Sequence, residues 1–147
     1  MAYVTNSDIE DRLGSAAYVQ LTDDDGDSVA DAAVVDEARL AAEGELNSYL
    51  ARRYHVPVDL TAHADLADVL KSFALDLVEC RLRGRRPPVP PEALRRRAEA
   101  IEWLARVASG AIDLPSAARV AANDARGSLG VATGEARLLT RDELAGH

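Results

Sequence analysis

At 147 residues, with 48% apolar but only 4% aromatic side chains, the chain fits one domain with a sizeable core, and its alanine-rich apolar content suits packed helices better than a sheet. A single cysteine, Cys80, excludes an internal disulfide and a multi-cysteine zinc site. The net charge of −8 argues against a general nucleic-acid binder.

The charge is unevenly spread. Residues 1–80 carry five basic and seventeen acidic side chains, and residues 81–147 carry twelve basic and eight acidic. A subunit whose acidic part meets the basic part of a neighbour would show this split. Met1-Ala2-Tyr3-Val4-Thr5-Asn6-Ser7-Asp8 lacks the basic and apolar stretches of a signal peptide, and no apolar run approaches the roughly 20 residues that span a bilayer. A soluble protein without a membrane partner is expected.

In chain order, Ser7-Asp8-Ile9-Glu10 has capping-box spacing and predicts a short helix stopping at Gly14. Ser15 predicts the cap of a second short helix over Ala16 to Leu21. Then comes Asp23-Asp24-Asp25-Gly26-Asp27-Ser28-Val29-Ala30-Asp31, an acidic, turn-forming loop; from Asp23 to Glu37 there are seven carboxylates and no basic residue. The first long helix is expected from Ala32 to Arg53, with Val34, Ala38, Ala42, Leu46 and Leu50 on one stripe widened by Val35 and Tyr49. Pro57 ends any continuation. The second long helix, Ala64 to Arg83, places Leu66, Val69, Leu70, Phe73, Leu77 and Cys80 on one face and closes at Gly84. Arg85-Arg86-Pro87-Pro88-Val89-Pro90-Pro91 reads as a stiff polyproline-like bridge, its last proline suited to open a helix. The third long helix, Glu92 to Ser109, carries one stripe of Leu94, Ala98, Ile101, Ala105 and Ala108, expected to face the bundle. A second stripe of Ala100, Trp103 and Val107 is left for another chain, with Trp103 as ordinary core the alternative.

The expected fold is therefore all-α: a small bundle of three long helices plus short N-terminal helices over residues 1–115. Residues 116–147 form an extended C-terminal arm with a late motif, Arg137-Leu138-Leu139-Thr140-Arg141-Asp142-Glu143-Leu144. Trp103, Leu138, Leu139, Arg141, Asp142 and Leu144 are the candidate partner-interface residues.

The chemistry is thin. Setting Asp23 at position 1 of a calcium loop puts Asp25 at 3, Asp27 at 5 and Asp31 at 9, a spacing of oxygen ligands that calcium accepts. Two departures weaken it: Ser28 stands where glycine permits the sharp turn, and Val34 where a bidentate glutamate belongs. An array of Asx turns and helix caps explains the same residues without an ion. His55 and His63 flank a proline connector with no nucleophile motif nearby, and Cys80 sits on an apolar helix face, so no enzyme and no cofactor are expected. The cluster Arg81, Arg83, Arg85, Arg86, Arg95, Arg96 and Arg97 could touch phosphate, but the acidic half of the chain favours ion pairing, here with neighbouring subunits.

The order of several motifs is informative. Met1-Ala2-Tyr3-Val4-Thr5, Asp8-Ile9, Arg12-Leu13-Gly14 and Gln20-Leu21-Thr22-Asp23 are followed by the acidic loop, Tyr49-Leu50-Ala51-Arg52-Arg53-Tyr54 with Pro57, Ala100-Ile101-Glu102-Trp103-Leu104, Leu114-Pro115, and Thr140-Arg141-Asp142-Glu143-Leu144-Ala145-Gly146. This series resembles a family of small neck proteins of Mu-like phages and prophages, a domain of unknown function similar to head–tail connectors. The resemblance implies a homo-oligomeric ring, a dodecamer, beneath the portal protein. Such a ring continues the DNA channel toward a downstream neck or tail protein, with DNA only as passing cargo. It implies a virion neck location, with host cytoplasm before assembly, and brings no catalytic residues. A calcium-responsive helical binding protein is the alternative, and a nucleic-acid-binding regulator using the arginine cluster is a third possibility.

Overall fold

The computed structural model describes residues 2–114 together with residues 117 and 119. Among them the chain is all-α: α1 (Asn6–Leu13), α2 (Ser15–Thr22), α3 (Ala32–Leu50), a 3-10 turn (Ala64–Leu66), α4 (Ala67–Gly84) and α5 (Pro91–Ser109). Apart from residues 117 and 119, the expected arm, with Leu138, Leu139, Arg141, Asp142 and Leu144, lies outside the described residues.

The cap of helix α1 lies two residues earlier than expected. The capping box is Thr5–Asp8 and not Ser7–Glu10: the Asp8 N–H donates to Thr5 Oγ1 at 3.2 Å, and the Thr5 N–H donates to Asp8 Oδ2 at 2.9 Å. Both pairs have the right spacing. The hydrophobic staple decides between them, because Val4 before the cap and Ile9 four residues into the helix are both buried in the core. Ser15, expected as a cap, is the first residue of α2 and donates to Glu10 Oε1 at 2.9 Å.

The core is the three-helix unit α3–α4–α5, with α1 and α2 packed against its flank. Val35, Ala42, Leu46 and Leu50 of α3 meet Leu70, Ala74, Leu77, Val78 and Leu82 of α4. Helix α3 stops at Leu50, three residues before the expected end, and turns carry the chain through Arg53. Pro91 is the first residue of α5, where its missing N–H is not needed. The preceding bridge bends at residues 86–88, with a cis Pro87–Pro88 bond.

The second stripe of α5, expected for another chain, faces the core, and of the first stripe Ile101 packs against it as expected. Ala93, Ala100, Leu104 and Val107 are buried, whereas Leu94, Ala98 and Ala105 face outward, Leu94 at 51% exposure. Trp103 belongs to the inward side: half-buried, it stacks on Phe73 with ring centroids 4.7 Å apart. Gly110 ends α5 in the left-handed conformation (φ 87°), and a Cβ there would lie 3.2 Å from the Arg53 guanidinium.

Two tyrosines tie both ends of the described chain to the region around α3. The Tyr3 N–H donates to Glu43 Oε1 at 2.8 Å, the Tyr3 hydroxyl donates to Asn47 Oδ1 at 2.6 Å, and the Val58 N–H donates back to that hydroxyl at 2.9 Å. The buried Tyr54 hydroxyl accepts from the Leu114 N–H at 2.8 Å, and the Tyr54 backbone forms an isolated bridge with Arg119.

Candidate functional site

The acidic loop connects α2 to α3 and is built by its own carboxylates. Asp23 caps the end of α2, and its two oxygens accept the N–H groups of Gly26 at 2.6 Å and Ser28 at 3.0 Å. Asp25 Oδ1 accepts from the Asp27 N–H at 3.1 Å, and Asp27 Oδ1 from the Val29 N–H at 2.8 Å, two successive Asx turns. Gly26 (φ 80°) and Ser28 (φ 67°) are left-handed, so serine here supplies the turn that glycine would make easily. Oxygens of Asp23, Asp25 and Asp27 lie within 4.8 Å of one another.

Asp31, the fourth sequence candidate, is not in that group. It precedes α3 but makes no side-chain cap; its Oδ2 accepts from the Asp24 N–H at 2.8 Å and closes the loop. Val34, where a bidentate glutamate would complete a calcium loop, is half-buried against the core. Three grouped carboxylates fall short of the six to eight oxygens calcium takes, leaving the rest to backbone carbonyls and water. The backbone N–H of Gly26 holds the Asp23 carboxyl below its ordinary value. Asp25 goes the other way. Its bond from the Asp27 N–H favours the charged form, but desolvation and the charges of Asp27, Asp31 and Asp23 raise its pKa.

The loop is clamped to the end of α4. Arg85 Nη2 donates to both Asp24 oxygens at 2.9 and 2.6 Å, and its Nη1 donates to the Leu21 carbonyl at 2.7 Å. Arg86 donates to the Asp23 carbonyl at 3.0 Å. Between this clamp and α3 lies a groove of about 290 Å³ lined by Asp24, Val34, Glu37, Ala38, Ala41, Arg81 and Arg85.

The arginine cluster, expected to meet other subunits, is paired within the chain. Arg81 and Arg97 donate to the two oxygens of Glu45 at 2.7 and 2.6 Å. Arg12, Arg83 and Arg96 converge on the buried Glu79 at 3.2, 2.8 and 3.1 Å. Arg95 is bound by Glu92 and Glu99 on its own helix. Asp76 joins the Glu79 group through Arg12; burial pushes its carboxyl above the ordinary range against the pull of Arg12 and Arg96. The acidic and basic halves of the chain therefore meet inside the fold.

The sequence did not single out Glu43, Asp76 or Glu79, the buried carboxylates that join elements. Asp76 and Glu79 stand between the apolar residues of the most apolar helix, and that placement was the available signal. His55 and His63 lie in the α3–α4 connection and enter no group of potential metal ligands among the described residues.

A family model described as Bacteriophage Mu, Gp36 matches residues 3–133. No curated protein matches the chain.

Proposed function

This chain belongs to the bacteriophage Mu Gp36 family, and from that premise we propose that it is a head–tail connector. In this reading it is a non-enzymatic virion protein whose copies form a ring beneath the portal, continue the DNA channel and receive a downstream neck or tail protein. The observation that carries it is the family match over residues 3–133, which makes a phage structural or assembly role the starting point. A small helical bundle followed by a further stretch of chain suits subunits that touch different surfaces of their neighbours. Leu94, Ala98 and Ala105 on the outer face of α5, and Leu40 on α3 at 60% exposure, offer apolar surface for such contacts. Among the described residues, the clustered Arg81, Arg83, Arg96 and Arg97 are paired with carboxylates of the same chain and are not free for phosphate, which suits DNA that passes without binding. No described helix is long and apolar enough to cross a membrane.

Electron microscopy of the purified protein mixed with the portal of the same phage tests this. A ring seated on the portal is the expected result; neither ring nor portal binding at high protein concentration would reject the connector. Portal and capsid genes beside this one would agree with it.

A second reading is calcium responsiveness, favoured by the grouping of Asp23, Asp25 and Asp27 around the left-handed Ser28. With Val34 in place of the closing glutamate, binding falls in the weak range of about 10⁻⁴ to 10⁻³ M. Calorimetric titration with calcium decides it: heat that disappears with Asp25→Ala plus Asp27→Ala supports the site, and no heat removes it.

A further inference from the structure

The groove between α3, the end of α4 and the acidic loop has an unusual composition. Its apolar wall is Val34, Ala38 and Ala41, small side chains that leave room for bulkier ones. At about 290 Å³ it is at the bottom of the roughly 300–1,000 Å³ range of small-molecule sites, a size for one or two side chains of a peptide. Its charges are not equally available. Arg81 is engaged by Glu45 and Arg85 by Asp24, whereas Glu37 is exposed and has no ion-pair partner among the described residues. The groove therefore calls for an apolar side chain accompanied by a cation.

The chain carries a segment of that chemistry. Arg137-Leu138-Leu139-Thr140-Arg141 sets an adjacent pair of leucines between two arginines. Reach is no obstacle. The described chain leaves the bundle at Arg119, bridged to Tyr54 beyond the end of α3. From Leu50, at the end of α3 and four residues before Tyr54, back to Ala38 is about 18 Å, and the stretch 120–136 can extend about 55 Å.

We propose that residues 137–144 of this chain dock in the groove, the leucine pair against Val34, Ala38 and Ala41 and an arginine on Glu37. The docking does not depend on ring formation or on the portal.

Disulfide trapping in the full-length chain tests it. Ala41, Glu37 and Leu94 are all exposed, so substitutions there leave the core intact, and the native Cys80 is buried; unchanged thermal melts by circular dichroism verify folding. Under mild oxidation, Ala41→Cys with Leu139→Cys should cross-link at least about tenfold faster than Leu94→Cys with Leu139→Cys, because docking raises the effective concentration of the two thiols. Peptide mass spectrometry on a mixture of isotopically labelled and unlabelled protein identifies the link: an unmixed link, within one chain, supports the docking, and a link found only between copies overturns it. No link, or equal rates for the two pairs, overturns it. Glu37→Arg should slow the reaction roughly two- to fivefold, the range of an exposed ion pair, and adding Arg137→Glu and Arg141→Glu should restore it. A rate indifferent to Glu37→Arg, or a swap that restores nothing, overturns it too.

Discussion

Glu79 is the side chain whose loss should report most clearly on how this bundle is held together. It is 4% exposed and accepts hydrogen bonds from Arg12 Nε at 3.2 Å, Arg83 Nε at 2.8 Å and Arg96 Nη2 at 3.1 Å, arginines of α1, α4 and α5. Glu79→Gln keeps the shape, removes the charge, and turns one acceptor oxygen into a donor facing a guanidinium. Breaking a buried ion pair by removing one partner costs about 3–5 kcal/mol. Two features lower that figure here: the three arginine side chains are 27–32% exposed and keep some water, and Asp76 still faces Arg12 and Arg96. The expected loss is about 2 kcal/mol after discounting for solvent screening, a fall in Tm of roughly 6–10 °C for a chain of this size. Urea unfolding followed by far-UV circular dichroism measures it, with an unchanged m-value. A loss below about 0.5 kcal/mol, the range of ordinary surface substitutions, would mean that water and Asp76 carry the arginines and that Glu79 does not join the helices.

Three further outcomes follow from the same structure. Leu104→Ala, at a fully buried position, should cost about 2–5 kcal/mol, while Leu94→Ala on the same helix should stay within about 0.5 kcal/mol; equal losses by urea unfolding would contradict the orientation of α5. Glu43→Ala removes the acceptor of the buried Tyr3 and Val4 N–H groups, so those amides should lose hydrogen-exchange protection and stability should fall by about 2–4 kcal/mol; retained protection would refute the anchor. The hydrogen bond from Lys71, with that from the Thr5 N–H, lowers the Asp8 pKa below 3.8. A group depressed in the folded state stabilises above its unfolded pKa and loses that contribution as pH falls through the folded one. Asp8→Asn should therefore destabilise at neutral pH, and the difference from the parent protein should shrink as pH falls below the ordinary carboxylate range; a difference that stays constant on acidification would contradict the pairing.

The positions of the three long helices were legible because their signals are local: apolar spacing, Pro57 as breaker, Pro91 as the opening residue of α5, Gly110 as terminator. What was not legible depended on distant partners. Thr5–Asp8 and Ser7–Glu10 are equivalent capping boxes to a local eye, and only the shared burial of Val4 and Ile9 separates them. Both stripes of α5 mix alanine with larger apolar side chains, so periodicity identifies a helix but not its inward side. That side is fixed by the stack of Trp103 on Phe73 and by the reach of Arg96 to Glu79 and Arg97 to Glu45.

The same distance effect governs the charge pattern. The acidic half and the basic half look like two surfaces waiting for neighbours, yet Arg81, Arg85, Arg96 and Arg97 find carboxylates 17 to 61 residues away in their own chain. Net charge of a segment therefore says little about which side chains remain available to a partner; the remainder after internal pairing does. Among the described residues that remainder includes Glu37 beside the groove, Asp25 and Asp27 at the tip of the acidic loop, and the exposed Val29, Leu40 and Leu94. The acidic loop illustrates the point at residue scale. The order of its aspartates was visible from the start, but Asp24 is spent on Arg85 and Asp31 on the Asp24 N–H. The exposed carboxylates of Asp25 and Asp27 are the part of the loop that an ion or a partner can still claim.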